Sequence, residues 1–206
     1  MSNSIHSVLV LFAHPALERS RVNQALAEGI RDLEGVTFHD LYQHYPDFHI
    51  DVDREQTLLR EHETIVFQHP LYWYSSPALV KEWMDLVLEY GFAYGQEGTA
   101  LRDKRCLSAI STAGTERAYC DRGSNQFTIR QFLRPFEQSA LLCNMRWLPP
   151  FVVHDSQQIS DRDLATAAAD YRRLLERLRD SPETPALTGR HSYINNWLKQ
   201  DSAGDR

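Results

Sequence analysis

Two near-continuous apolar runs constrain this chain more than any other feature. Residues 7–13 read Ser-Val-Leu-Val-Leu-Phe-Ala and residues 64–68 read Thr-Ile-Val-Phe-Gln. A strand with successive rather than alternate apolar positions is covered on both faces, as in a parallel sheet flanked by helices. Between the two, Val22, Leu26, Ile30 and Leu33 recur at helical spacing behind a candidate N-cap at Ser20.

The pattern continues along the chain. A short strand is expected at 36–41, a packed aromatic and acidic loop at 42–53, and a helix at 54–61. The strand at 64–68 should end at His69 and Pro70, because proline disfavours further pairing. Ser76 and Pro77 then supply an N-cap and a first-turn proline to a mostly buried helix. Its polar face is Lys81, Glu82, Asp85 and Glu89, with Leu79, Val80, Trp83, Met84 and Val87 on the rest. Residues 105–111 form a fourth strand, 127–143 a helix, and 146–154 a last strand interrupted by Pro149 and Pro150, which marks an edge. Ser160 and Asp163 cap a helix carrying Leu164, Ala168, Tyr171, Leu175 and Leu178.

Strands alternating with helices imply right-handed crossovers and an α/β three-layer sandwich. Five parallel strands with the proline-bearing one at an edge suit the order 2-1-3-4-5. One domain is expected over 1–180 with a C-terminal tail at 181–206, whose cluster of Tyr193, Ile194, Trp197 and Leu198 docks on the body or on another subunit. Ligands of such sheets bind beyond the carboxyl ends of the strands, near the switch between strands one and three.

Composition narrows the partners. A net charge of -6 over 206 residues offers no positive field for a phosphate backbone, so a nucleic-acid partner is not expected. Cys106, Cys120 and Cys143 form no Cys-x-x-Cys pair, which argues against a disulfide framework or a cysteine zinc site and fits a reducing cytoplasm. The evenly spaced His39, His44 and His49 lie among loop aromatics with no helical face to converge them, so no metal site is expected. No run reaches membrane-spanning length, and a membrane role would be peripheral.

Three loops fall at the strand ends that matter. The first holds His14, Ser20, Arg21, Val22 and Asn23, where the start of a helix favours an anion such as a phosphate monoester; taken alone, a capping Ser20 explains it equally. The second is Pro70, Leu71, Tyr72, Trp73 and Tyr74, an aromatic run on a loop that suits a planar ligand or covers a sheet end or subunit interface. The third is Ser111, Thr112, Ala113 and Gly114, with Tyr119 a few residues on, small enough for close backbone approach to a ring edge.

Together these residues resemble the flavodoxin-like NAD(P)H:quinone oxidoreductase family. The stretches Asp40-Leu41-Tyr42, Tyr45-Pro46-Asp47-Phe48, Arg54-Glu55-Gln56 and Trp147-Leu148-Pro149-Pro150 are similar to the ancillary subunits of glutathione-gated potassium efflux antiporters. The resemblance implies a cytoplasmic flavodoxin-like flavoprotein, at most peripheral at the inner face of the cell membrane. It would take hydride from NAD(P)H through FMN to a quinone in a ping-pong scheme, or serve as a regulatory subunit of the antiporter, or both. It implies that His14, Ser20 and Asn23 hold the FMN phosphate, helped by the backbone of Arg21 and Val22. Pro70, Leu71, Tyr72 and Trp73, with Ser111, Thr112, Ala113 and Gly114, would contact the isoalloxazine. Tyr119 would be the catalytic hydrogen-bonding group near the flavin O2. A homodimer would complete the pocket, with the Trp73-Tyr74 loop at its interface. Two departures stand out: Ala113 replaces a glycine of the family's clamp, and Asn125 stands where the quinone reductases have a histidine.

Overall fold

The computed structural model describes residues 6–181 and 193–198. Successive side chains of β1 (Val8–Phe12) go to opposite faces of the pleat, and both faces meet apolar neighbours. Leu9 and Leu11 join Ile65, Phe67, Cys106 and Ile110 in one core, while Val8 and Val10 join Val66, Leu107 and Ala109 in the other. β3 (Thr64–Pro70) and β4 (Arg105–Ser111) are buried at every position, which is why neither alternates cleanly between apolar and polar. With β2 (Val36–Asp40) they form a parallel sheet in the order β2-β1-β3-β4, and β5 (Arg146–Trp147) and β6 (Phe151–Val153) both pair with β4 at the edge. The flavodoxin-like order 2-1-3-4-5 expected from the sequence is present, with the fifth position split in two.

Helices complete the three layers. Leu59 of α3 (Val52–Glu61) and Leu79, Val80, Trp83 and Val87 of α4 (Ala78–Val87) close the first core. Val22 and Leu26 of α1 (Arg21–Glu28) and Tyr171, Leu174, Leu175 and Leu178 of α7 (Asp161–Asp180) close the second. Ser160 accepts the Asp163 N–H at the start of α7, as the sequence implies. Ile194 and Leu198 of the tail enter the second core, so the apolar cluster of the tail docks on the body.

Five local expectations are corrected. The loop at 42–53 opens with a helical turn, α2 (Leu41–His44), because Asp40 accepts the Gln43 N–H and caps it. α3 starts two residues early, capped by Asp51. β3 continues through His69 to Pro70: the Leu71 N–H donates to Ser111 towards β4, so the ring nitrogen of Pro70 faces the other side, where β1 has already ended. Pro77, not Ser76, is the N-cap of α4. The helix at 127–143 is two, α5 (Ile129–Phe132) and α6 (Arg134–Leu142), because Pro135 has no N–H to give Gln131. At the edge, Leu148, Pro149 and Pro150 face only Leu107 and Ser108, a bulge that separates β5 from β6. No helix among the described residues is long and apolar enough to cross a membrane.

Candidate functional site

The chain leaving β1 turns at His14, whose side chain is 5% exposed. The Ala16 N–H donates to its Nδ1 at 3.1 Å, so a neutral ring carries its proton on Nε2, which lies 3.4 Å from the Tyr72 hydroxyl. Burial lowers its pKa, against the raising pull of Glu18 and Asp40. A short 3₁₀ turn (Leu17–Arg19) then delivers Ser20 to the N-cap of α1. Ser20 Oγ accepts from both the backbone N–H and the side-chain Nδ2 of Asn23, and the same Nδ2 donates to Ser111 Oγ at 2.9 Å. One buried carboxamide therefore ties the start of α1 to the end of β4. With two bonds accepted, the Ser20 hydroxyl hydrogen remains free to donate. The N–H groups of Arg21 and Val22 open the helix ahead of its internal ladder.

Beyond β3, the aromatic run divides three ways. Trp73 and Tyr74 both have left-handed backbone, with φ of 49° and 63°, and the Ser75 N–H returns to the Tyr72 carbonyl at 2.9 Å. This is the geometry of a primed turn, normally filled by Asn-Gly, and each non-glycine residue there costs on the order of 1–3 kcal/mol. The strain splits the ring faces: Tyr72, 42% exposed, turns to His14, Trp73 stands 93% exposed, and Tyr74 stacks on Phe132 at 5.0 Å. Trp73, expected with Tyr72 against the ring, therefore lies outside the lining of the cavity beside Tyr72, because consecutive residues of such a turn diverge.

The turn after β4 is held from beside it. Thr112 donates its hydroxyl to the Gly114 carbonyl at 2.8 Å, so His154 Nδ1, 3.0 Å from the same oxygen, must carry a proton and donate. Thr112 thus turns away from solvent. The space left by Gly114 is filled by the Tyr119 ring, which a Cβ would meet at 3.2 Å. Ala113 lies outside the left-handed region, so this turn makes no demand that only glycine could meet. Asn125, where the resemblance implies a histidine, accepts from the Tyr74 hydroxyl at 3.4 Å.

These elements enclose a cavity of about 440 Å³ at the carboxyl ends of β1, β3 and β4. His14, Ser20, Arg21, Pro70, Leu71, Tyr72, Ser111 and Ala113 line it, and so do Arg19, Ser156 and Gln157. Of the remaining candidates, Val22 is in the core, Asn23 stands behind Ser20, and Thr112, Gly114 and Tyr119 form the supporting turn. Ser156 and Gln157 have no signal of their own in the sequence. They belong to the exit of the edge strand, whose end at Val153 is hidden by the bulge at Pro149 and Pro150. Arg19 and Arg21 place positive charge at the mouth; Arg21 is partly engaged by Asp161 at 2.5 Å.

A family model of the flavodoxin-like fold matches residues 6–175. The glutathione-regulated potassium-efflux system ancillary protein KefG of Yersinia enterocolitica is 46% identical over 184 residues, covering 89% of this chain and 96% of that protein. General stress protein 14 of Treponema denticola, solved in complex with FMN, is 36% identical with a TM-score of 0.80, over 84% of this chain and 99% of that one. An NADPH-quinone reductase from P. pentosaceus is 33% identical with a TM-score of 0.75, over 82% of this chain and 96% of that one.

Proposed function

The chain belongs to the flavodoxin-like fold family, and on that premise we propose that it holds FMN in the cavity above β1, β3 and β4 and acts as an NAD(P)H:quinone oxidoreductase. The observation that carries this reading is the pairing of an anion-ready helix start with a cavity-lining Tyr72 across one 440 Å³ cavity. The donors fit a phosphate monoester. The uncommitted Ser20 hydroxyl, the His14 Nε2–H and the N–H groups of Arg21 and Val22 all give hydrogen bonds, and Asn23 holds Ser20 in place.

Pro70, Leu71 and Tyr72 would form one wall for the ring, and Ser111 and Ala113 the other, with Thr112 and Gly114 fixing that turn. Tyr119 would donate a hydrogen bond near O2. When bound, FMN supplies hydride acceptance from NAD(P)H and hydride delivery to a quinone, the two substrates using one pocket in turn. The strained turn presents the Trp73 indole outward, which suits the interface of a homodimer; light scattering should return twice the chain mass, and a monomer would remove this part of the reading.

A second reading has its own support. The 46% identity to a potassium-efflux ancillary protein, together with Asn125 where a relay histidine would stand, favours a subunit that activates a membrane potassium antiporter from the cytoplasmic side and turns over weakly or not at all. One experiment separates them. After incubation with FMN and desalting, the protein should retain a flavin spectrum that bleaches anaerobically with NADH or NADPH and returns with a quinone. Retention without bleaching favours the ancillary role, to be checked by co-purification with the antiporter and by potassium efflux after deletion. No retention removes the FMN reading.

A further inference from the structure

The edge strand β6 pairs with β4 on one side only, and the other side of such a strand ordinarily presents open N–H and C=O groups. Here the tail closes it. Asn195 Oδ1 accepts from the Val152 N–H at 2.9 Å and its Nδ2 donates to the Val152 carbonyl at 3.0 Å, so one carboxamide imitates the two ladder bonds of a further strand. The Ile194 N–H donates to the Pro150 carbonyl at 3.0 Å, and Ile194 and Leu198 are buried beneath.

The segment leaving β6 holds the candidate site. Thr112 N–H donates to the Val153 carbonyl, Asp155 N–H to the Gly114 carbonyl and Ser156 N–H to the Thr112 carbonyl, at 2.9, 3.1 and 2.9 Å. His154 adds its Nδ1–H bond to Thr112 Oγ1. Its Nε2 is buried with no partner among the described residues, and the imidazole has ring contacts with Tyr119 at 5.7 Å and with Tyr193 of the tail at 5.5 Å. Asp155 has a left-handed backbone, φ 56°, in the turn that sets Ser156 and Gln157 against the cavity. A strained turn leaving a short edge strand needs something behind it, and the tail is what stands there.

We propose that residues 193–198 are a positioning element of the site: Asn195 braces β6 and Tyr193 seats His154, and through them the tail sets the 112–114 turn and the Ser156 wall of the cavity. The segment lies past residue 175, where the match to the family model ends. That the site takes FMN rests on the proposed function; that the tail positions it does not.

The test is amide hydrogen exchange on the full chain without FMN, for the unmodified protein, N195A, Y193A and Y193F. Exchange at Thr112, Asp155 and Ser156 should rise about tenfold in N195A and in Y193A, the loss of one or two hydrogen bonds' worth of local protection. The amides of β3 should keep theirs. Y193F should behave as the unmodified protein, because the ring rather than the hydroxyl meets His154. FMN affinity, read by quenching of its fluorescence at a temperature well below unfolding, should fall in the same two variants. Unchanged exchange at these three amides, or a rise spread evenly over β3 and β4, would overturn the proposal. Raised local exchange in a protein that binds no FMN would leave the brace standing and remove only the FMN reading.

Discussion

Ser20→Asp is expected to weaken FMN binding by roughly 100-fold while leaving the fold intact. Aspartate caps a helix about as well as serine, and its charge suits the positive end of α1, so stability should change by no more than about 0.5 kcal/mol. The Asn23 N–H and Nδ2–H that now donate to Ser20 Oγ can donate to the carboxylate instead. A phosphate seated there, however, would lose a donor and meet a negative charge. Two like charges about 4 Å apart repel by about 4 kcal/mol at an effective dielectric near 20, and salt at the cavity mouth reduces this to the 100-fold named above. Riboflavin has the same ring and no phosphate, so its affinity should be the same in S20D and in the unmodified protein. Fluorescence titration of both ligands with a thermal melt of each protein makes the check. Equal loss for riboflavin would mean that the substitution had damaged the ring site, and unchanged FMN affinity would place the phosphate elsewhere.

The architecture is legible because it is written in burial periodicity. The runs at 7–13 and 64–68 are apolar on both faces, and that alone calls for a parallel sheet between two helical layers. The misreadings are local: the primed turn at Trp73 and Tyr74 contains no glycine or asparagine, so nothing in the sequence announces that the three aromatics part company. The division of the helix at Leu133 is signalled by Pro135 but masked by the apolar spacing that runs through it. At the site, His14, Ser20 and the loop at 70–72 can be found because each sits immediately after a strand. Ser156 and Gln157 cannot, since they depend on a bulge whose register emerges only when Pro149 and Pro150 are seen opposite Leu107 and Ser108. Similarly, the likeness at Tyr45-Pro46-Asp47-Phe48 and Arg54-Glu55-Gln56 suggests a functional signature. In the structure, Tyr45 and Glu55 are partners in a buried polar cluster, and neither lines the cavity.

Glu55→Gln is therefore expected to cost stability rather than ligand affinity. Glu55 is fully buried; Oε1 accepts from His39 Nε2 at 2.8 Å and from the Tyr45 hydroxyl at 2.5 Å, and Oε2 accepts from Trp83 Nε1 at 2.7 Å. Every neighbour on both oxygens is a donor. Glutamine has the same shape but must turn an NH₂ towards at least one of them, leaving donor against donor in a fully buried site. Breaking a buried charge network of this kind costs about 3 kcal/mol, which for a domain of this size lowers Tm by roughly 6–12 °C. Burial by itself pushes the Glu55 carboxyl up, but the hydrogen bonds from His39, Tyr45 and Trp83 and the attraction of His39 outweigh it, and the net pKa is below the ordinary value. A carboxylate depressed in the folded state stabilises the protein above its unfolded pKa, near 4.3, and that stabilisation is lost as pH falls through the folded value. The gap between the unmodified protein and E55Q should accordingly be widest near neutrality and close progressively below about pH 4. Urea unfolding of both proteins at a series of pH values measures it. A gap that widens as pH falls would mean that the folded protein holds Glu55 protonated, and the cluster would then be an uncharged hydrogen-bond network instead of an ionic one; a constant gap would mean that the carboxyl has the same pKa folded and unfolded.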